Sequence, residues 1–196
     1  MGKNKEMLKC FIKVMQNDEN EIKKIIPNMY QKNFYEIDFA YLKEKNIKNL
    51  LIDIDGTILT VDDTFVPVKL KNQFDILKQN NFKICLISNN STKRVSPVAQ
   101  NLDVAYLSNA NKPKKEAFDK ALAILNCTKQ ATAMIGDQMM SDIKGANEYG
   151  LYSILLKPVD NHNNIKTKTS RILQNIMENH LKKTNQFDNQ KFYRRR

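Results

Sequence analysis

The sequence predicts an α/β protein built on a doubly wound, Rossmann-like parallel sheet of about five strands, with no separate cap domain. Three observations carry this. Short apolar runs recur through the middle of the 196-residue chain. Segments with apolar residues at helical spacing separate them, and strands that alternate with helices of this length form parallel sheets. Polar residues gather where the runs end, the place where such sheets bind ligands.

The first strand is Leu50–Ile54, an apolar run interrupted by Asp53, as in a strand buried on both faces. Pro67 opens a helix on which Leu70, Phe74 and Leu77 share a face. Phe82–Ile87 is the second strand. Residues 89–101 follow as loop and short helix, with Pro97 limiting the start of the helix. Val104–Leu107 is the third strand. Pro113 begins a helix carrying Phe118, Leu122 and Leu125 on one side. Ala131–Ile135 is the fourth strand, Ser141–Tyr149 a short helix stopped by Gly150, and Leu151–Leu156 the fifth strand.

The ends read differently. Residues 1–25 form an N-terminal helical extension. Within it Met7, Leu8, Phe11, Ile12 and Met15 lie on one side, opposite Lys5, Lys9 and Lys13. Residues 161–184 form an amphipathic C-terminal helix carrying Ile172, Leu173, Ile176 and Leu181, and 185–196 a basic tail expected to be disordered. The formal net charge is +11, and residues 157–196 account for most of it, with ten basic and three acidic side chains. Basic ends attract nucleic acid and anionic lipid alike. The helix over residues 3–16 has the pattern of an interfacial anchor and equally that of a helix docked on its own domain. No run is long and apolar enough to span a membrane, and the N-terminus lacks the pattern of a secretory signal. Cys10, Cys85 and Cys127 are dispersed, and His162 and His180 have no metal-ligand spacing to them. A zinc site and a disulfide framework are therefore not expected, and a reducing, cytoplasmic setting is.

Asp53-Ile54-Asp55-Gly56-Thr57 is the most informative stretch. Two carboxylates stand two apart where the first strand ends, beside a glycine that allows close backbone approach. Such a pair suits a nucleophile and a proton donor. Asp, Gly and Thr are also ordinary turn formers, and Ser88-Asn89-Asn90 after the second strand can be a helix cap. Further along stand Lys112-Pro113, then Gly136-Asp137 after the fourth strand with Asp142 five residues on. In isolation Lys112 reads as a solvated lysine, and Asp142 as an acid in a first helical turn. Asp53 differs, because an unpaired carboxylate against a buried strand is costly and a metal accounts for it better.

The ordered set DxDGT, SNN, KP and GDxxxxD resembles the haloacid dehalogenase (HAD) superfamily of phosphotransferases over residues 26–160. Ile26-Pro27, Leu42–Leu50, Ser88-Asn89-Asn90-Ser91, Ala110-Asn111-Lys112-Pro113 and residues 136–142 further resemble its YqeG-type HAD-IIIA phosphatases, relatives of the phosphatidylglycerophosphate phosphatases. Gly56 departs from that subgroup, where Asn is more usual. The resemblance implies Asp53 as nucleophile, Asp55 as general acid and base, and Lys112 as the balancing cation, with Lys114 and Lys115 as rivals for that role. It implies Mg²⁺ held by Asp53, Asp137 and the carbonyl of Asp55, with Asp142 orienting the metal waters. Phosphate would be held by Ser88, Asn89, Gly56 and Thr57.

One helix and one strand fill each gap between motifs, so the pocket is expected to be open. That suits a phosphate carried on something large, since a small free metabolite is better held by enclosure. With the basic ends, the resemblance implies hydrolysis of phosphatidylglycerophosphate at the inner face of the membrane, with an anionic phospholipid as partner. Two alternatives stand beside it. One is a phosphatase for a soluble, nucleotide or macromolecular phosphate. The other is a non-catalytic module that binds nucleic acid or the ribosome through the basic tail.

Overall fold

The computed structural model describes residues 2–159 and 165–187. Six strands, β1 (Met29–Gln31), β2 (Asn49–Ile52), β3 (Lys83–Ile87), β4 (Ala105–Leu107), β5 (Thr132–Gly136) and β6 (Tyr152–Leu156), form one sheet. Their order is β1-β6-β5-β2-β3-β4 and every pairing is parallel. The strand order reverses around β2, so β2 is flanked by β5 and β3 at the switch point where such folds place a ligand. Five strands match the sequence reading within two residues at their ends. The sixth, β1, is an edge strand of three residues just after Pro27, too short to show a period.

The helices are α1 (Gly2–Met15), α2 (Glu19–Ile25), α3 (Phe39–Glu44), α4 (Val68–Gln79), α5 (Thr92–Leu102), α6 (Lys115–Leu125), α7 (Lys144–Tyr149) and α8 (Ile165–Lys183). Alternation along the buried strands sorts the core. Leu50, Ile52, Ile84, Leu86 and Ile135 face Leu70, Phe74, Val95 and Leu102 of α4 and α5. Leu51, Cys85, Ile87 and Met134 face Phe118, Ala121 and Ala146 of α6 and α7. A third cluster joins Cys10 and Val14 of α1, Ile22 and Ile25 of α2, and Met177 and Leu181 of α8 with Leu155 of β6. Only α4 and β3 separate Asp55 from Ser88, and only α5 and β4 separate Asn90 from Lys112, so no cap domain interrupts the sheet.

Three expectations change. Pro97 lies inside α5 and does not limit its start, because the helix already begins at Thr92 behind Ser91. Along α1 the buried residues are Met7, Cys10 and Val14, while Leu8, Ile12 and Met15 are exposed. The helix therefore docks on the protein with Met7 and Phe11 of the expected face inward, rotated so that Cys10 and Val14 take the place of Leu8, Ile12 and Met15. The expected tail begins with packed chain: Phe187 is buried with its ring edge-on to Tyr30 at 5.3 Å between centroids. Residues 188–196, with the three terminal arginines, lie outside the described residues. No helix among the described residues is long and apolar enough to cross a membrane.

Candidate active site

The carboxyl ends of β2, β3, β4 and β5 deliver the polar residues to one place. Asp53 follows β2 directly, and its amide still bonds the carbonyl of Ile135 on β5 at 2.9 Å. Asp137 follows β5. Asp142 lies in a π-type turn, Met139–Ile143, which leads into α7. Gly136 makes this turn possible, since a Cβ there would come within 2.5 Å of the Asp142 side chain. One carboxylate oxygen from each of Asp53, Asp137 and Asp142 lies within 4.8 Å of the others, and all three residues are buried.

Lys112 is the centre of this cluster. Only 1% of its side chain is exposed, and its Nζ lies 2.6 Å from Asp53 Oδ1 and 2.8 Å from Asp142 Oδ1. The first contact is a hydrogen bond; the second is an ionic contact off the hydrogen-bonding angle. Asn89 fixes the lysine from behind: its Oδ1 accepts from the Lys112 amide at 2.7 Å and its Nδ2 donates to the Lys112 carbonyl at 3.1 Å. The rivals are elsewhere: Lys115 pairs with Asp119, and Lys114 is an exposed residue at the start of α6.

Thr57 is fully buried and donates to Asp137 Oδ1 at 2.9 Å, with Asp53 Oδ2 at 3.3 Å. Its hydroxyl thus serves the carboxylates, where the sequence reading has it on phosphate. Ser88 is buried and its Oγ accepts from the Asn90 amide at 3.1 Å. Gly56, at φ +91°, donates its amide to Leu59 O at 2.7 Å and receives the Val159 amide at 2.9 Å.

Asp55 stands apart from the metal-type cluster. Arg94 of α5 donates to its Oδ1 from Nε at 3.0 Å and Nη2 at 2.8 Å, and Asn90 Nδ2 donates to Oδ2 at 2.6 Å. Arg94 also holds the carbonyls of Thr60 and Asp63, which ties the loop after Asp55 to α5. Nothing in the sequence marks Arg94 beyond its place just after Ser88-Asn89-Asn90-Ser91. Two further residues come from α8. Arg171 donates from Nη1 to the Asp137 carbonyl at 3.2 Å and from Nη2 to Asp137 Oδ2. Gln174 donates to the same carbonyl at 2.9 Å and accepts the Met139 amide at 3.0 Å.

The electrostatics suit a cation. Three carboxylates face two cationic side chains, Lys112 and Arg171. Burial, and then the charges of Asp142 and Asp137, push the Asp53 carboxyl up to about 8 against the pull of Lys112. Burial likewise raises Asp137, although Arg171 opposes it. Lys112 is itself raised, because both acids outweigh its desolvation. An excess of buried negative charge with oxygen-only donors is the chemistry of a hard divalent ion, which would reverse these shifts. The donor set therefore fits such an ion.

The same region matches known proteins. A family model described as haloacid dehalogenase-like hydrolase matches residues 50–111, and one described as HAD-hydrolase-like matches residues 109–168. The chain is 29% identical over 158 residues to the "Probable phosphatase YqeG" of Bacillus subtilis (strain 168), covering 81% of this chain and 92% of that one. An uncharacterized protein from Listeria monocytogenes serotype 4b superposes with a TM-score of 0.50 at 23% identity, over 59% of this chain and 84% of the other. The cobalt-bound deoxy-D-mannose-octulosonate 8-phosphate phosphatase of Haemophilus influenzae gives 0.47 at 14% identity, over 71% and 90%.

Proposed function

Given that the chain belongs to the haloacid dehalogenase superfamily and is a phosphatase of the YqeG type, we propose that Asp53 carries the phosphoryl group and that Mg²⁺ serves the carboxylate cluster. We propose further that the substrate is phosphatidylglycerophosphate, released as phosphatidylglycerol. The observation that carries the catalytic reading is the buried Lys112–Asp53 pair, 2.6 Å apart, beside Asp137 and Asp142.

In the first step an oxygen of Asp53 bonds to phosphorus as the bond to the leaving oxygen breaks, and Asp55 gives that oxygen its proton. In the second, water bonds to phosphorus, Asp55 takes its proton back, and Asp53 leaves as carboxylate. Lys112 favours the ionised form of Asp53 against its burial and balances the charge brought by phosphate. Ser88 and the backbone at Asn89 receive the phosphoryl oxygens, while the Gly56 amide, expected on phosphate from the sequence, is already held by the Leu59 carbonyl. Asp53, Asp137 and the Asp55 carbonyl would hold the divalent ion, with Asp142 beside them, and the ion supplies charge neutralisation at the phosphoryl oxygens. Arg94 and Asn90 orient Asp55 between the two steps.

Two features support a lipid substrate. Among the described residues no cap domain covers the strand ends. The loop after Asp55, tied down by Arg94, leads to Phe65 and Val68, 71% and 75% exposed, with Val61 also exposed. Exposed Lys69 and Lys71 follow. Exposed apolar residues followed by two lysines, with Asp62 and Asp63 on the other side of Phe65, suit a phosphate presented at a membrane surface, on the cytoplasmic face.

The test has two arms. Mg²⁺-dependent hydrolysis of an aryl phosphate, abolished in Asp53→Asn, is expected for the catalytic reading; equal turnover in the variant overturns it. Phosphate release from phosphatidylglycerophosphate vesicles should exceed that from a panel of soluble sugar and nucleotide phosphates. It should fall in Phe65→Ser while aryl phosphate turnover holds. Faster turnover of a soluble phosphate would replace the lipid assignment.

A further inference from the structure

The C-terminal helix α8 does more than cover the sheet. Two of its side chains, one turn apart, grip the loop that carries Asp137. Gln174 is buried and takes both the Asp137 carbonyl and the Met139 amide. Its neighbour Arg171 lies against the Asp137 carboxylate and carbonyl but keeps 25% of its side chain exposed. Of the two cations in the cluster, Lys112 is enclosed and Arg171 is at the rim.

Gly56 gives a second, independent observation. A Cβ at this position would stand 2.7 Å from Arg171 Nη2 and 2.5 Å from Asp137 Oδ2. The glycine, at φ +91°, therefore leaves room for the guanidinium beside the carboxylate. Below Arg171, α8 is held by Gln174, Met177 and Leu181, all buried. The helix thus has buried anchors besides Arg171.

We propose that Arg171 is a positioning residue and resident counter-ion for Asp137, and that it gives way to the divalent cation. This rests on the metal reading above. Thr57 already occupies Asp137 Oδ1 and Arg171 occupies Oδ2, so a divalent ion drawing on Oδ2 meets a positive charge at that atom. Arginine and metal thus compete for one carboxylate, and the competition is reciprocal: the ion loosens Arg171 by the factor by which Arg171 weakens the ion. Before the ion arrives, the guanidinium holds Asp137 in place. Gln174 holds the loop throughout.

The experiment is a calorimetric titration of the full chain with Mn²⁺, for wild type, Arg171→Gln and the control Lys182→Gln. Lys182 lies on the same helix and loses the same charge, and its 3.8 Å contact with Glu178 is separated from Asp137 by Gln174. Arg171→Gln should bind Mn²⁺ roughly tenfold more tightly, within the usual range of coupling between sites, and Lys182→Gln should match wild type. Thermal unfolding adds a second readout. Arg171→Gln should melt below wild type in chelator and level with it in saturating Mn²⁺. Unchanged or weaker Mn²⁺ affinity in Arg171→Gln, or an equal loss of melting temperature with and without the ion, overturns the proposal. If that happens while wild type binds Mn²⁺ and turns over aryl phosphate, only this inference fails. If wild type binds no Mn²⁺, the metal reading fails with it.

Discussion

Replacing Lys112 with Met isolates the charge at the centre of the cluster while keeping an unbranched side chain of similar length. The wild-type ammonium lies 2.6 Å from Asp53 and 2.8 Å from Asp142. At an effective dielectric of about 20, each contact is worth about 6 kcal/mol of attraction. Desolvating a fully enclosed ammonium consumes several kcal/mol of that. Removing one partner of such a group leaves buried carboxylates uncompensated, which typically costs about 3–5 kcal/mol. For a chain of this size that corresponds to a melting temperature lower by about 10 °C. The loss should be seen in chelator by differential scanning calorimetry and should shrink in saturating Mg²⁺, which supplies the missing positive charge. Turnover of an aryl phosphate should fall by about 10²-fold or more in Mg²⁺, since a fixed cation at developing charge is a large catalytic term. A melting temperature within about 2 °C of wild type in chelator, well under the shift worked out above, would show that Lys112 does not neutralise this cluster, and the reasoning would fail.

Two further outcomes rest on the glycine turns and on the Glu21–Lys144 pair. Gly56→Ala should cost about 1–3 kcal/mol and most of the activity, because φ +91° and contacts of 2.5 and 2.7 Å both oppose a Cβ. Gly150→Ala has a similar φ of +87° but no heavy atom closer than 3.7 Å, so it should lose less stability and keep aryl phosphate turnover. Glu21 tests the packing of the N-terminal helices. Burial would raise its carboxyl, but the bonds from Lys144 at 2.5 Å and from Cys10, with the charges of Lys144 and Lys24, lower it to about 2. A depressed carboxylate stabilises the fold above its ordinary value of 4.5 and loses that contribution as pH falls toward 2. Lys144→Met should therefore destabilise by about 2–3 kcal/mol at neutral pH. Its unfolding curve should approach that of wild type as pH falls from 4.5 to 2, which urea melts across that range would measure.

The sheet was legible because β2, β3, β5 and β6 are buried on both faces and so read as unbroken apolar runs. β1 was not, because three residues on an edge show neither a run nor an alternation. The face of α1 is only half legible for a physical reason: its docking groove takes Met7, Phe11, Cys10 and Val14 and leaves Leu8, Ile12 and Met15 in solvent, so side-chain size is a poor guide there. Asp53, Lys112, Asp137 and Asp142 could be brought together from sequence because each lies on or soon after a strand end. Arg94, Arg171 and Gln174 could not. Each lies within a helix whose period reads as a core face and a solvent face, and Arg171 is separated from Asp137 by 34 residues. Thr57 was legible as a site residue but not in its direction, since only the packed turn shows that its hydroxyl serves Asp137 and Asp53.

The most direct measurement is to find where phosphorus goes. Quenching turnover of an aryl phosphate with acid and mapping phosphorylated peptides should place phosphate on Asp53, in a bond cleaved by hydroxylamine, and should yield none in Asp53→Asn. Steady turnover with no phosphate on Asp53, or with phosphate on another residue, would contradict the account.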